Sequence, residues 1–181
     1  RIVSFKEPTT VDLAHDYLWR VHRACPERGE IGIFNRSHYE DVVAVRMFDL
    51  APKEVWSRRP EQINAFERML TDEGTTVVKV FLNVSREEQG QRFRERIADP
   101  QKRWKFRKAD LDVHERYAEY IAAYEDAIAE TSTKWAPWNV VPADRNWVKA
   151  HAVATLLVDA LERMDPQLPA PEPGIEKLQI D

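Results

Sequence analysis

Thr75-Thr76-Val77-Val78-Lys79-Val80-Phe81-Leu82-Asn83-Val84, followed at once by Ser85-Arg86-Glu87-Glu88, decides how this chain folds. The first ten residues are β-branched and almost continuously apolar, the pattern of a strand in a parallel sheet covered on both faces. Ser85 and Glu88 stand at the three-residue spacing of a capping box, so the strand runs straight into a helix, read here to about Ala98. The same alternation extends outward in both directions. Ile2 to Phe5, Ile31 to Phe34 and Trp138 to Val141 read as strands, the second of them buried. Val11 to Ala24, Glu61 to Asp72, Asp110 to Glu130 and Asn146 to Met164 read as helices, and Gly74 stops the second of these as a C-terminal cap. Val42-Val43-Ala44-Val45 fits helix or strand; helix is preferred for 39–48. Asp99 to Lys108 is polar and broken by Pro100, hence a loop or lid. Strand, helix, strand, helix with short links predicts an α/β fold: a doubly wound parallel sheet with helices on both faces and a basic helical lid at about 86–115. Residues 1–165 make the domain. Pro166, Pro169, Pro171 and Pro173 predict an extended tail over 166–181.

The bulk properties bound the function. A chain of 181 residues, 43% hydrophobic and 32% charged, has the length and composition of one soluble globular domain. No apolar run approaches the roughly 18 residues of a membrane span. The net charge of −4 is mild, but the basic residues are segregated. Between Arg86 and Lys108 nine Lys or Arg face four acids, a local excess of five. That points to a local anion site on an acidic protein, not to a coat for nucleic acid. Cys25 is the only cysteine, so no disulfide forms within the chain, and a reducing, cytoplasmic setting is expected. Arg1 falls in what reads as a strand already under way, which predicts that the chain begins inside a larger protein.

Three constellations carry chemistry. In Gly29-Glu30-Ile31-Gly32-Ile33-Phe34-Asn35-Arg36-Ser37-His38-Tyr39-Glu40-Asp41 a strand runs into seven polar side chains, at the sheet edge where α/β proteins bind ligands. Arg36 offers a fork of donors that matches phosphate, and Glu40 and Asp41 are hard oxygen ligands suited to Mg²⁺. Phosphoryl transfer needs such a set, because the protein mainly positions groups and offsets charge. Arg36 and Glu40 equally fit an i,i+4 surface pair. In the basic segment Arg92, Arg96, Arg103, Lys105 and Arg107 can wall a polyanion, with Trp104 and Phe106 interleaved; a solvated helix laced by Glu88–Arg92 and Arg92–Glu95 pairs is the alternative. Asp144, after the last strand, reads first as a helix cap and second as a nucleotide contact. The histidines lack metal-ligand spacing, which argues against zinc. A phosphate loop of the form Gly-x-x-x-x-Gly-Lys does not occur among these 181 residues.

The Gly29–Asp41 block resembles the second nucleotide-binding motif of the polyphosphate kinase 2 family. Gln62-Ile63-Asn64-Ala65-Phe66-Glu67, Gly74-Thr75-Thr76, Lys102-Arg103-Trp104-Lys105-Phe106, Trp135-Ala136-Pro137-Trp138 and Pro142-Ala143-Asp144-Arg145 are similar to further family blocks, in the same order and spacing from about Val3 to Leu161. The resemblance implies a P-loop kinase fold and Mg²⁺-dependent phosphoryl transfer between inorganic polyphosphate and a nucleotide such as ADP, AMP, GDP or GMP, often in a homo-oligomer. It implies Asn35 and Arg36 at the transfer centre, Glu40 and Asp41 facing the nucleotide or its metal, and Arg46, Arg92, Arg96, Lys102, Arg103 and Lys105 along the polyphosphate. Trp104, Phe106 and Asp144 fall to the nucleotide side. Where many relatives have Asp, this chain has Asn35, a form that resembles members accepting monophosphates as well as diphosphates. The glycine-rich phosphate loop of the family would precede residue 1, so little activity is expected of these residues alone. An ATP-dependent nucleotide kinase and a non-catalytic polyanion-binding module are the competing readings.

Overall fold

The structure, a computed structural model, describes residues 1–175. Four strands, β1 (Ile2–Ser4), β2 (Ile33–Asn35), β3 (Lys79–Asn83) and β4 (Trp138–Pro142), are all parallel to their partners. They form two pairs, β1 with β2 and β3 with β4, instead of one continuous sheet. The pairing registers Ser4 with Asn35 and Asn83 with Pro142 at the carboxyl ends. The β1–β2 pair is less covered than its sequence suggests: Ile33 is 50% exposed, and Ile31, just before β2, 59% exposed. The expectation of a buried second strand is corrected accordingly.

Nine helices of the described residues connect and cover these strands: α1 (Thr10–Leu13), α2 (Trp19–His22), α3 (Glu40–Met47), α4 (Lys53–Trp56), α5 (Arg59–Asp72), α6 (Arg86–Ala98), α7 (Ala109–Glu115), α8 (Tyr117–Thr131) and α9 (Asn146–Met164). The principal core lies between α3, α5 and α8, where Tyr39, Val42, Val43, Met47, Ile63, Ala123 and Ala127 pack together. A smaller cluster of Phe5, Val21 and Ala24 sits beneath β1.

Two expected helices are each broken in two. The first stops at Leu13 and restarts at Trp19, because the Asp16 side chain accepts the Leu18 N–H at 2.9 Å, a local bond that competes with the helical ladder. The helix expected over Asp110 to Glu130 breaks at Arg116, whose guanidinium donates to the Met47 carbonyl at 2.8 Å and so closes the end of α3. The strand read over Thr75 to Val84 begins only at Lys79, four residues late; other boundaries agree with the reading to within two residues, and 39–48 is helical. Ser85 caps α6 by accepting the Glu88 N–H at 3.2 Å. The reciprocal half of the box is absent, since the Glu88 carboxylate turns to Arg92 instead. Residues 166–172 lack regular structure and are exposed; the rest of the expected tail, 176–181, lies outside the described residues.

Candidate phosphate-binding site

Beyond the last bond of β2 the backbone turns through Arg36 in the left-handed region, φ 61. A bulky residue rarely adopts that conformation, and such residues persist where their surroundings fix them. The turn delivers Arg36 to solvent and leads through Ser37, His38 and Tyr39 into α3. Glu40 and Asp41 then occupy the first turn of α3, where the positive end of the helix dipole favours negative charge. Burial pushes the Glu40 carboxyl above the usual range, and Arg36 is the strongest charge opposing that shift. Two tyrosines of α8 feel the same pair. Burial pushes Tyr120 up to about 12, with Glu40 adding to the rise and Arg36 opposing it. Tyr124 is raised by the same causes. Arg36, Glu40 and this face of α8 therefore share one electrostatic environment.

Asp41 is held differently. Burial raises its carboxyl too, and two arginines that sequence spacing did not single out oppose the shift. Arg20 of α2 stands 3.6 Å from one carboxylate oxygen and Arg59 of α5 stands 3.8 Å from the other, with all three side chains only 14% exposed. Arg20 also donates to the Lys6 carbonyl at 2.9 Å, beyond the carboxyl end of β1. Arg59 donates to the Asp41 carbonyl as well. Two guanidinium groups about one carboxylate leave an excess of one positive charge in a largely covered place, an environment that favours an anion.

The residues assigned to a polyphosphate wall take several distinct positions. Arg46 lies six residues past Glu40, about 9 Å along the α3 axis; it binds Asp126 at 2.7 Å and covers Trp56. Arg92 is committed to the scaffold. It donates to Glu88 at 2.7 Å and to the carbonyls of Ala143 and Asp144 at 2.8 and 2.9 Å. Arg96 stacks over Phe93 on the same helix. Lys102 pairs with Asp99 at 2.9 Å, and Arg103 donates to the Ile97 carbonyl at 2.7 Å. Lys105 lies over Trp104, which is 77% exposed, whereas Phe106 packs edge-on against Phe93.

Asp144 does not cap α9; its carboxylate accepts the Ser85 N–H at 2.7 Å and ties the end of β4 to the start of α6. That bond holds its carboxyl below the ordinary range. Asn83, Ser85, Tyr117, Pro142, Asp144, Arg145 and Val148 line an open cavity of about 440 Å³ just past the carboxyl ends of β3 and β4. Asn35 closes β2 with its amide 3.4 Å from the Ser4 hydroxyl. Asn35 and Arg36 thus fall at the carboxyl end of one strand pair and Asp144 at that of the other, where ligand sites in parallel sheets lie.

Sequence reasoning passed over one more group. Lys79 is a charge inside an apolar strand, a signal that a buried partner exists. The partner is Glu67 of α5 at 2.7 Å.

The family model for polyphosphate kinase 2 matches residues 1–169. The AMP/ADP-polyphosphate phosphotransferase of Meiothermus ruber is 52% identical over all of this chain and 68% of its own length. The ADP-polyphosphate phosphotransferase of Rhodopseudomonas palustris is 38% identical over 98% of this chain and 65% of its own. The crystal structure of polyphosphate kinase 2 from Arthrobacter aurescens TC1 superimposes with a TM-score of 0.93 at 41% identity, covering 97% of this chain and 62% of that one. The chain thus spans about two thirds of the length of these relatives. A match across nearly every described residue, in sequence and in fold together, leaves one assignment: this chain belongs to the polyphosphate kinase 2 family.

Proposed function

We propose that the chain is the larger part of a phosphotransferase that moves a phosphoryl group between inorganic polyphosphate and a nucleoside mono- or diphosphate. The observation that carries the reading is Arg36, presented to solvent by a strained turn at the carboxyl end of β2 with Glu40 beside it. The names of the similar proteins from Meiothermus ruber and Rhodopseudomonas palustris support polyphosphate as one substrate and adenine nucleotides as the other. In this reading the guanidinium of Arg36 binds the transferring group and offsets the charge spread over its oxygens. Arg20 and Arg59 hold Asp41 and add positive potential behind it. The cations of 102–105 meet the rest of the phosphate chain.

Magnesium accompanies phosphoryl transfer generally, but Glu40 and Asp41 do not fit it as a converging pair. Asp41 is engaged by two arginines, and among the described residues no three His, Cys, Asp or Glu gather as cation ligands. The proposal therefore places Mg²⁺ with the phosphate oxygens of the substrates; among the described residues Glu40 enters no ion pair.

The test compares this chain with an N-terminally extended form, each supplied with polyphosphate, Mg²⁺ and AMP or ADP, with ATP formation as the readout. The extended form is expected to turn over and this chain to show little activity. Its rate should also fall steeply as salt rises from about 0.05 to 0.5 M, because a polyanion is steered by screened charge. Equal use of ATP as donor, with no response to polyphosphate, would replace the proposal by an ordinary nucleotide kinase.

A further inference from the structure

A buried polar network anchors the 35–41 segment from beneath through His38 and Tyr39, two side chains given no role above. Lys79 donates its three protons to Glu67 Oε2 at 2.7 Å, to the Tyr39 hydroxyl at 2.9 Å and to the Thr131 carbonyl at 2.7 Å. Tyr39 donates in turn to Glu67 Oε1 at 2.8 Å, and His38 Nε2 stands 3.2 Å from the same oxygen. The acceptor is a carboxylate, so this His38 nitrogen carries the proton. The Trp138 indole donates to the Thr131 hydroxyl at 2.9 Å. Loop, α5, β3, α8 and β4 therefore meet at one ion pair, with both partners at most 5% exposed.

Stability alone does not call for this arrangement. Buried ion pairs are often replaceable by apolar residues of similar volume without loss, and in some proteins what they add is a unique geometry. Here the geometry acts on the turn next door. Arg36 has a strained backbone, and His38 and Tyr39 are the first buried side chains after it. Strain at an exposed residue persists only when neighbours over-determine it.

We propose that His38 and Tyr39 are positioning residues for phosphoryl transfer. Anchored on Glu67 and Lys79, they fix the turn that aims Arg36 on one side and Glu40 on the other. This rests on the functional reading given above.

Tyr39→Phe is the test, because it deletes only the hydroxyl and keeps the ring that packs edge-on against Trp138 at 4.6 Å. It is made in whichever chain length turns over. Loss of aim is expected to lower kcat about tenfold, since small misplacements at a reacting centre are costly. KM for polyphosphate should stay within about twofold, because the basic segment is untouched. Amide hydrogen exchange supplies a readout independent of turnover: residues 36–41 should exchange faster while α9 keeps its wild-type rates.

Wild-type kcat in the variant, or exchange accelerated uniformly along the chain, would overturn the proposal. Failure of the functional reading looks different: the wild-type protein itself would transfer nothing from polyphosphate. Exchange at 36–41 would in that case still decide whether the hydroxyl holds the turn.

Discussion

Arg36→Ala is expected to lower polyphosphate-dependent transfer by about 10³-fold or more, the range over which a charge-offsetting arginine acts in phosphoryl transfer. The fold should survive. Arg36 is exposed, contributes nothing to either core cluster, and sits at φ 61, a conformation alanine bears at a cost similar to that of arginine. The melting temperature of the variant should therefore stay near that of the wild type, which separates a lost reaction from a lost structure. Arg36→Lys sharpens the result. Lysine keeps the charge but not the planar fork, so it should recover only part of the rate if the guanidinium grips two phosphate oxygens at once. A rate within twofold of wild type in Arg36→Ala would remove this residue from the chemistry and leave the functional proposal without its centre.

The largest expected loss of stability comes from Lys79→Met. The variant strands Glu67 as a buried carboxylate without a cation. Breaking one side of a buried pair costs about 3–5 kcal/mol, equivalent to a fall in melting temperature on the order of 10 °C for a chain of this size. Scanning calorimetry reads it directly. The pH dependence supplies a signed check. In the wild type burial raises the Glu67 carboxyl, but hydrogen bonds from His38, Lys79 and Tyr39 outweigh burial and hold it below the ordinary range. Its contribution is therefore present above the ordinary glutamate range and is lost as pH falls through the lowered value. In Lys79→Met the balance reverses, because desolvation then dominates, and protonation relieves the buried charge. The gap between variant and wild type should narrow from pH 7 to pH 4. Adding Glu67→Leu and Tyr39→Phe to Lys79→Met should restore much of the stability while leaving transfer impaired. Full restoration of both would show that the network only packs.

The strand-to-helix passage at 79–98 was legible because every signal in it is local: an apolar run, then a serine that caps within three residues; the strand's start was not, since the β-branched Thr75–Val78 carry the same signal without joining the ladder. The break at Arg116 was not legible, since nothing in Asp110–Glu130 disfavours a helix; the cause is a carbonyl at Met47 that comes close only in the folded chain. The break after Leu13 could have been read from Asp16, whose side chain competes with the helix over two residues. In the site, Arg36, Glu40 and Asp41 were found because they follow one strand. Arg20 and Arg59 stand 21 and 18 residues from Asp41, at spacings that carry no periodic signal. Arg92 shows the converse limit: a basic helix face reads as a binding wall, yet its best-placed arginine spends its donors on two backbone carbonyls and a neighbouring glutamate.

That fastening of Arg92 has a mechanical outcome. With two hydrogen bonds tying the middle of α6 to the carbonyls just past β4, and a third bracing the same guanidinium on Glu88 of its own helix, the basic segment is not one hinged plate. Its first half is fixed to the strand layer, whereas the stretch past Ala98 is fastened only to α6 and to itself, through the Asp99–Lys102 and Arg103–Ile97 contacts and the packing of Phe106 on Phe93. Any shift of the far stretch would therefore pivot about the end of α6 and leave the strand layer undisturbed.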